Sequence, residues 1–159
     1  MKDEEVIVAI DPGANGGIVV GNINGEVYQV DKMPATPKDL LEYLKDVVDG
    51  FMKVSCVLEK VGGMPGQGGM AMFNFGKGFG YLEMALLACG IATEEVTPQK
   101  WQKVFQMGSS KGYSKTEWKN KLKAKAQMLF PLQKVTLWSS DALLLYKYGL
   151  SIINTRQHL

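Results

Sequence analysis

A chain of 159 residues, 46% apolar and 21% charged, suits one domain (residues 1–159) with a real core and excludes a disordered or fibrous protein. No apolar run approaches the about 18 residues of a membrane span, and the acidic start, MKDEEVIVAID, is no signal peptide. The net charge of +2 divides unevenly: residues 1–97 carry seven Lys against fourteen Asp and Glu, whereas residues 98–159 carry ten Lys and Arg156 against Glu117 and Asp141 alone.

VIVAI (6–10) reads as a buried strand stopped by Asp11-Pro12-Gly13. GGIVVGNI (16–23) is a second strand, Asn24-Gly25 a hairpin turn and EVYQVDKM (26–33) a third strand, so the first three form an antiparallel meander. Pro34 and Pro37 close it. In 38–51, Leu40, Leu41, Leu44, Val47 and Val48 fall at helical spacing. VSCVLEKV (54–61) is a buried-type strand, followed by GGMPGQGG, a flexible glycine-rich loop. Residues 70–90 read as a long helix in which Gly76, Gly78 and Gly80 do not share one face. IATEEVTP (91–98) supplies a fifth strand. A short helix (98–107), the loop GSSKGYS and a lysine-rich helix (114–129) follow, and Pro131 stops the last of these. Ser139 and Ser140 are N-cap candidates for a final helix, DALLLYKYGLSII. This order predicts an α/β fold, a five-stranded mixed sheet with helices on both faces.

Two cysteines, Cys56 and Cys89, lie in apolar runs with no CxxC pair, and the chain has one His, His158, in its tail. Plain buried thiols in a reducing cytoplasm fit better than a disulfide scaffold or a zinc site.

Residues 98–134 hold nine Lys against one Glu. Such a block is either a footprint for a polyanion or a solvated helix face. Within it Trp118, Leu122, Ala126 and Leu129 form a core-facing stripe. Lys119 and Lys123 lie on one flank and Lys121 and Lys125 on the other, with stems over apolar surface and amines reaching outward.

Three carboxylates stand at ends of apolar elements: Asp11, Glu59 and Asp141. Singly, Asp11 can hold a turn, Glu59 can end an exposed strand, and Asp141 can cap a helix. Together, beside a basic block, they suit hard cations such as Mg²⁺ or Mn²⁺, which take oxygen ligands. Such ions, one or two of them, support phosphodiester hydrolysis by water, and lysines would hold the neighbouring phosphates.

Ile10-Asp11-Pro12-Gly13 with Gly16-Gly17, Val57-Leu58-Glu59-Lys60-Val61, and Asp141-Ala142-Leu143-Leu144-Leu145 before Tyr148-Gly149 resemble the RuvC-type Holliday-junction resolvases. The segment EKVGGMPGQGGMAMFNFGKGFGYLEMAL and then VTPQKWQKVF before the lysine-rich helix are similar to the phage and prophage branch. The resemblance covers roughly residues 6–149. It implies an RNase H-like fold and a homodimer acting on branched DNA, a four-way junction. It implies metal-dependent nicking with Mg²⁺ or Mn²⁺, no small-molecule cofactor and no membrane. Asp11, Glu59 and Asp141 fall where the family has catalytic metal ligands. Lys115, then Lys111, matches a basic residue near the scissile region. Lys119 belongs to the same DNA-binding block, and Lys77 is a further phosphate contact. An aromatic near the glycine-rich loop stacks on unpaired bases in the family, which points to Phe73, while Phe79 reads as core.

One position departs from the pattern. Typical bacterial members carry a fourth acid three residues before the last Asp, and here Trp138 stands there. Water, Ser139, Ser140 or a backbone carbonyl would then complete the shell. The departure keeps two other readings open, a less selective branched-DNA or flap nuclease and a non-catalytic junction binder. A sugar-kinase or actin-like ATPase, which also opens on a strand ending in Asp-x-Gly, needs far more chain.

Overall fold

The computed structural model describes residues 3–60, 62, 66 and 68–157, with side chains to residue 153. Val61, Met64, much of the GGMPGQGG loop and His158 lie outside the described residues.

The strands are β1 (Glu5–Asp11), β2 (Gly17–Asn22), β3 (Val27–Lys32), β4 (Lys53–Glu59) and β5 (Ala92–Val96). The helices are α1 (Pro37–Gly50), α2 (Gly69–Ala88), α3 (Pro98–Lys103), α4 (Lys115–Leu129) and α5 (Ser140–Gln157). One mixed sheet runs in the order β3-β2-β1-β4-β5. The pairs β1/β2 and β2/β3 are antiparallel, and β1/β4 and β4/β5 are parallel. The expected meander and mixed sheet are therefore present.

The hairpin forms where Asn24-Gly25 predicts it. Asn22 Oδ1 accepts the backbone N–H of Asn24 and of Glu26, each at 3.0 Å, and Gly25 takes φ of +100°. α1 starts on a Thr36 cap with Pro37 in its first turn and buries Leu40, Leu44 and Val47. Alternation along the central strands builds two cores. Val6, Val8, Ile10, Cys56 and Leu58 face α1 and α2. Ile7, Ala9 and Val57 face α5, together with side chains of α3 and α4. Tyr146 fastens α5 to the hairpin, its hydroxyl donating to Asn22 O at 2.6 Å and to Glu26 O at 3.2 Å.

Two boundaries differ from expectation. The helix expected over 98–107 stops at Lys103. Beyond it, Val104 and Phe105 bond three residues back, to Trp101 and Gln102, and Gln106 turns to φ of +52°. Ser139 stands in the N-cap position, its carbonyl accepting Leu143 N–H at 3.0 Å, but its Oγ accepts from Thr136 N at 2.9 Å, and Ser140 is already helical. Both cysteines are free, Cys56 buried and Cys89 half-buried, and burial is the chief cause that pushes each thiol up. Among the described residues no helix is long and apolar enough to cross a membrane.

Candidate active site

β1 and β4 run parallel with Ile10 beside Leu58, so the next residues, Asp11 and Glu59, leave neighbouring strands at the same end of the sheet. Period-two alternation points both toward the α5 side, opposite Ile10 and Leu58. Asp141 arrives on that side in the first turn of α5, just before Ala142–Tyr146 enter the core. Carboxyl ends of parallel strands are where open α/β sheets bind ligands.

The turn after Asp11 demands glycine. A Cβ on Gly16 would lie 1.9 Å from Asp11 O, and Gly16 N donates to Gly13 O at 3.0 Å. Any side chain at 16 would push the Asp11 backbone out of place.

The three acids share one electrostatic neighbourhood. Burial, then Glu59 and Asp141, push Asp11 up to about 8. Burial and Asp141 push Glu59 up to about 7, opposed by a hydrogen bond from Trp101 and by Lys119. Glu59 and Asp141 are 6% and 5% exposed, so their charges have little water to lean on. The positive charge present is Lys119, from α4, whose ammonium is paired and hydrogen-bonded to Asp141. Burial works against that ammonium, but Asp141, and then Asp11 and Glu59, hold its pKa above the ordinary lysine value.

Lys119 thus does not reach outward as the helix pattern suggested. It lies next to the Leu122 and Ala126 stripe, and a buried carboxylate on a different helix draws it inward. Lys121 departs similarly: its ammonium donates to Met107 O at 2.9 Å and lies 4.7 Å from the Tyr113 ring centre. Lys111 and Lys115 are exposed, in the loop before α4 and at its first position. Lys77 is exposed on α2, its ammonium 5.7 Å from the Tyr81 ring centre. It lines a cleft of about 710 Å³ between α1, α2 and the Pro12–Ala14 turn. Phe73 is 65% exposed on α2, whereas Phe79 packs on the α1–α2 core. A side chain at Gly76, Gly78 or Gly80 would meet nothing, so packing within this chain does not require those glycines.

Trp138 is half-buried against β2 and β3, with the Lys32 ammonium 5.8 Å from its ring centre; a Cβ on Gly17 would stand 3.0 Å from its Cε3. It brings an apolar ring to the strand residue paired with Asp11. Ser139 is engaged with Thr136, whereas Ser140 Oγ lies 3.5 Å from Asp141 Oδ1.

Sequence reasoning missed one participant. Trp101, fully buried on α3, donates its indole N–H to Glu59 Oε2 at 2.7 Å. An aromatic on a short amphipathic helix signals core and nothing more.

Among the described residues no three His, Cys, Asp or Glu side chains are grouped so as to hold a metal ion as they stand. The donor set nevertheless fits a hard divalent cation in its chemistry: carboxylate oxygens, crowded, mutually repelling, with an ammonium as their counter-charge.

No protein-family model matches the chain, and no curated protein matches it. Among solved structures it is similar to Thermus thermophilus RuvC in complex with a Holliday junction substrate. That likeness has 13% identity and a TM-score of 0.67, and covers 94% of this chain and 96% of that one. A second Thermus thermophilus RuvC structure gives 15% identity and a TM-score of 0.65, with the same coverage. Five strands in mixed order, two helical layers and nearly full coverage agree: the chain has the RuvC-type, RNase H-like fold.

Proposed function

We propose that this chain is a metal-dependent, structure-selective DNA endonuclease, one domain in extent and cytoplasmic, that nicks four-way junctions. What supports the reading is that Asp11, half-buried, and Glu59 and Asp141, both buried, come from three remote segments yet act on one another electrostatically on a RuvC-type fold. Buried like charges are costly, and one indole N–H and one ammonium offset only part of that cost. Carboxylates that burial and each other's charge hold above their ordinary pKa, at neighbouring strand ends, favour a site of chemistry over a structural role.

Asp11, Glu59 and Asp141 would hold one or two Mg²⁺ or Mn²⁺ ions, which when bound supply Lewis-acid activation of water and charge neutralisation at phosphorus. The chain's own residues do the rest. Trp101 holds Glu59, and Lys119 holds Asp141 until a cation competes for it. Water adds to phosphorus, the bond to the 3′-oxygen breaks, and a 5′-phosphate and a 3′-hydroxyl remain. The three carboxylates also give a proton released by that water somewhere to go. Lys111, Lys115 and Lys77 are exposed and able to meet flanking phosphates. Phe73 offers a ring to an unpaired base, a stacking interaction worth roughly 1–3 kcal/mol.

Two active sites on one junction require a homodimer. The outer face of α2 supports it: Met70, Met84 and Leu87 are 73%, 61% and 72% exposed, an apolar row unusual on a surface left to water.

A nicking assay on labelled four-way junctions, flaps and plain duplex, with Mg²⁺ or Mn²⁺, tests the reading. Junction nicking well above the other two is expected. Equal nicking of flaps makes it a broader branched-DNA nuclease, and binding without cleavage in either metal makes it a junction binder. Replacing Lys111 or Lys115 with Ala should weaken junction binding and lower the slope of log affinity against log salt by about 0.9 for each phosphate that is no longer neutralised. An unchanged slope in filter binding from 50 to 200 mM salt, roughly the range over which such charge pairing is read, removes those lysines from the interface.

A further inference from the structure

We infer that Trp101 is a positioning residue, its indole N–H fixing the Glu59 carboxylate in the orientation in which it shares a divalent cation with Asp11 and Asp141. The inference rests on the metal-site reading above and adds to it a residue that touches neither DNA nor ion.

The register puts Trp101 there. β5 pairs with β4 so that Val96 lies beside Glu59, and Lys60 N donates to Val96 O at 2.8 Å. The chain then turns at once into α3 on a Thr97 cap with Pro98 in the first turn, and Trp101 comes round over the strand end it has just left. The indole cannot drift. It is fully buried, it meets Phe105 edge-on at 6.1 Å, and α3 is tied to α4 by Trp118 Nε1–H donating to Gln102 Oε1 at 3.2 Å.

A buried indole N–H needs an acceptor, and a backbone carbonyl would serve. Here the acceptor is instead a buried carboxylate at the catalytic end of the sheet. The type of donor matters. A carboxylate accepts at about four lone-pair positions over two oxygens, so one neutral N–H on Oε2 fixes the plane of the group and leaves room for a cation. It also leaves the negative charge intact. Lys119 at Asp141 is the contrast, because its ammonium neutralises the acid it holds and must yield to a metal. Hydrogen bonds of the Trp101 kind behind metal-binding carboxylates are worth roughly 10–100-fold in metal affinity.

The test is Mn²⁺ titration of the full-length, metal-free protein, with free Mn²⁺ read by electron paramagnetic resonance and folding read by circular dichroism. Trp101→Phe removes the donor but leaves a void at a packed position. The deciding variant therefore carries β-(benzothiophen-3-yl)alanine at 101, which keeps the ring shape and loses the N–H. Both should remain folded and bind Mn²⁺ about 10–100-fold more weakly. In a Glu59→Ala background, which removes the acceptor, the same change should cost nothing further. Unchanged Mn²⁺ affinity with the isostere, or a loss that simply adds to that of Glu59→Ala, overturns the role of Trp101 while leaving the metal site standing. If Asp11→Asn binds Mn²⁺ as well as the parent does, the metal-site reading itself fails and takes this inference with it.

Discussion

Asp11→Asn should abolish nicking while leaving four-way-junction binding largely intact. Asn keeps the shape and removes one of three charges that would hold the cation. Electrostatic help of that kind is worth several kcal/mol, and each 1.4 kcal/mol or so is tenfold in rate, so a loss of about 10³-fold or more is expected. Binding should survive because phosphate contacts from lysines elsewhere dominate affinity. Single-turnover nicking and a gel-shift titration on the same junction measure the two separately. Undiminished nicking refutes the assignment of Asp11. The same variant should be more stable than the parent when metal is removed near pH 8, because it deletes a carboxylate that burial, Glu59 and Asp141 all disfavour as an anion.

The second large effect is on stability against pH. Asp11 and Glu59 are held up at about 8 and about 7 in the fold, against ordinary values of 3.8 and 4.5. Because the folded state grips these protons more tightly than the unfolded chain, stability is complete below about pH 4 and drains as pH rises through 7 and 8. Lys119 stays charged across this window, since its own shift is upward from 10.5. At about 1.4 kcal/mol per pH unit the cost to the metal-free protein is on the order of several kcal/mol. For a chain of this size that is roughly 10 °C in Tm. Thermal melts in chelator at pH 5 and pH 8 should show the drop, and Mg²⁺ or Mn²⁺ should restore much of it at pH 8 and little at pH 5. A Tm that does not fall between those pH values contradicts the crowded-carboxylate account.

Much of the scaffold is legible in the residues. The change from β-branched run to acid, in VAID and CVLE, marks the ends of β1 and β4, and Leu40, Leu44 and Val47 mark the buried face of α1. What local pattern cannot carry is direction across the sheet. Lys119 sits on a flank of its helix, and a flank residue can turn either way; Asp141, 22 positions on, decides. Trp101 reads as core from its neighbours, and its N–H acquires a purpose only because β5 aligns Val96 with Glu59. The α3 boundary differs from its pattern for a related reason. Residues past Lys103 still place apolar side chains at helical spacing, yet the backbone tightens and Gln106 turns left-handed. Trp138, conspicuous as a departure, becomes intelligible as a side chain packed on Gly17 beneath the Lys32 ammonium.

Asp11 closes the first strand, whereas its distant partner Asp141 rides on α5, which the ribosome makes only after all five strands. A nascent chain therefore carries two of the acids long before the third has docked. The three-carboxylate cluster is therefore assembled only once α5 has emerged and docked, and a product terminated ahead of that helix lacks Asp141 and the Lys119 pairing with it.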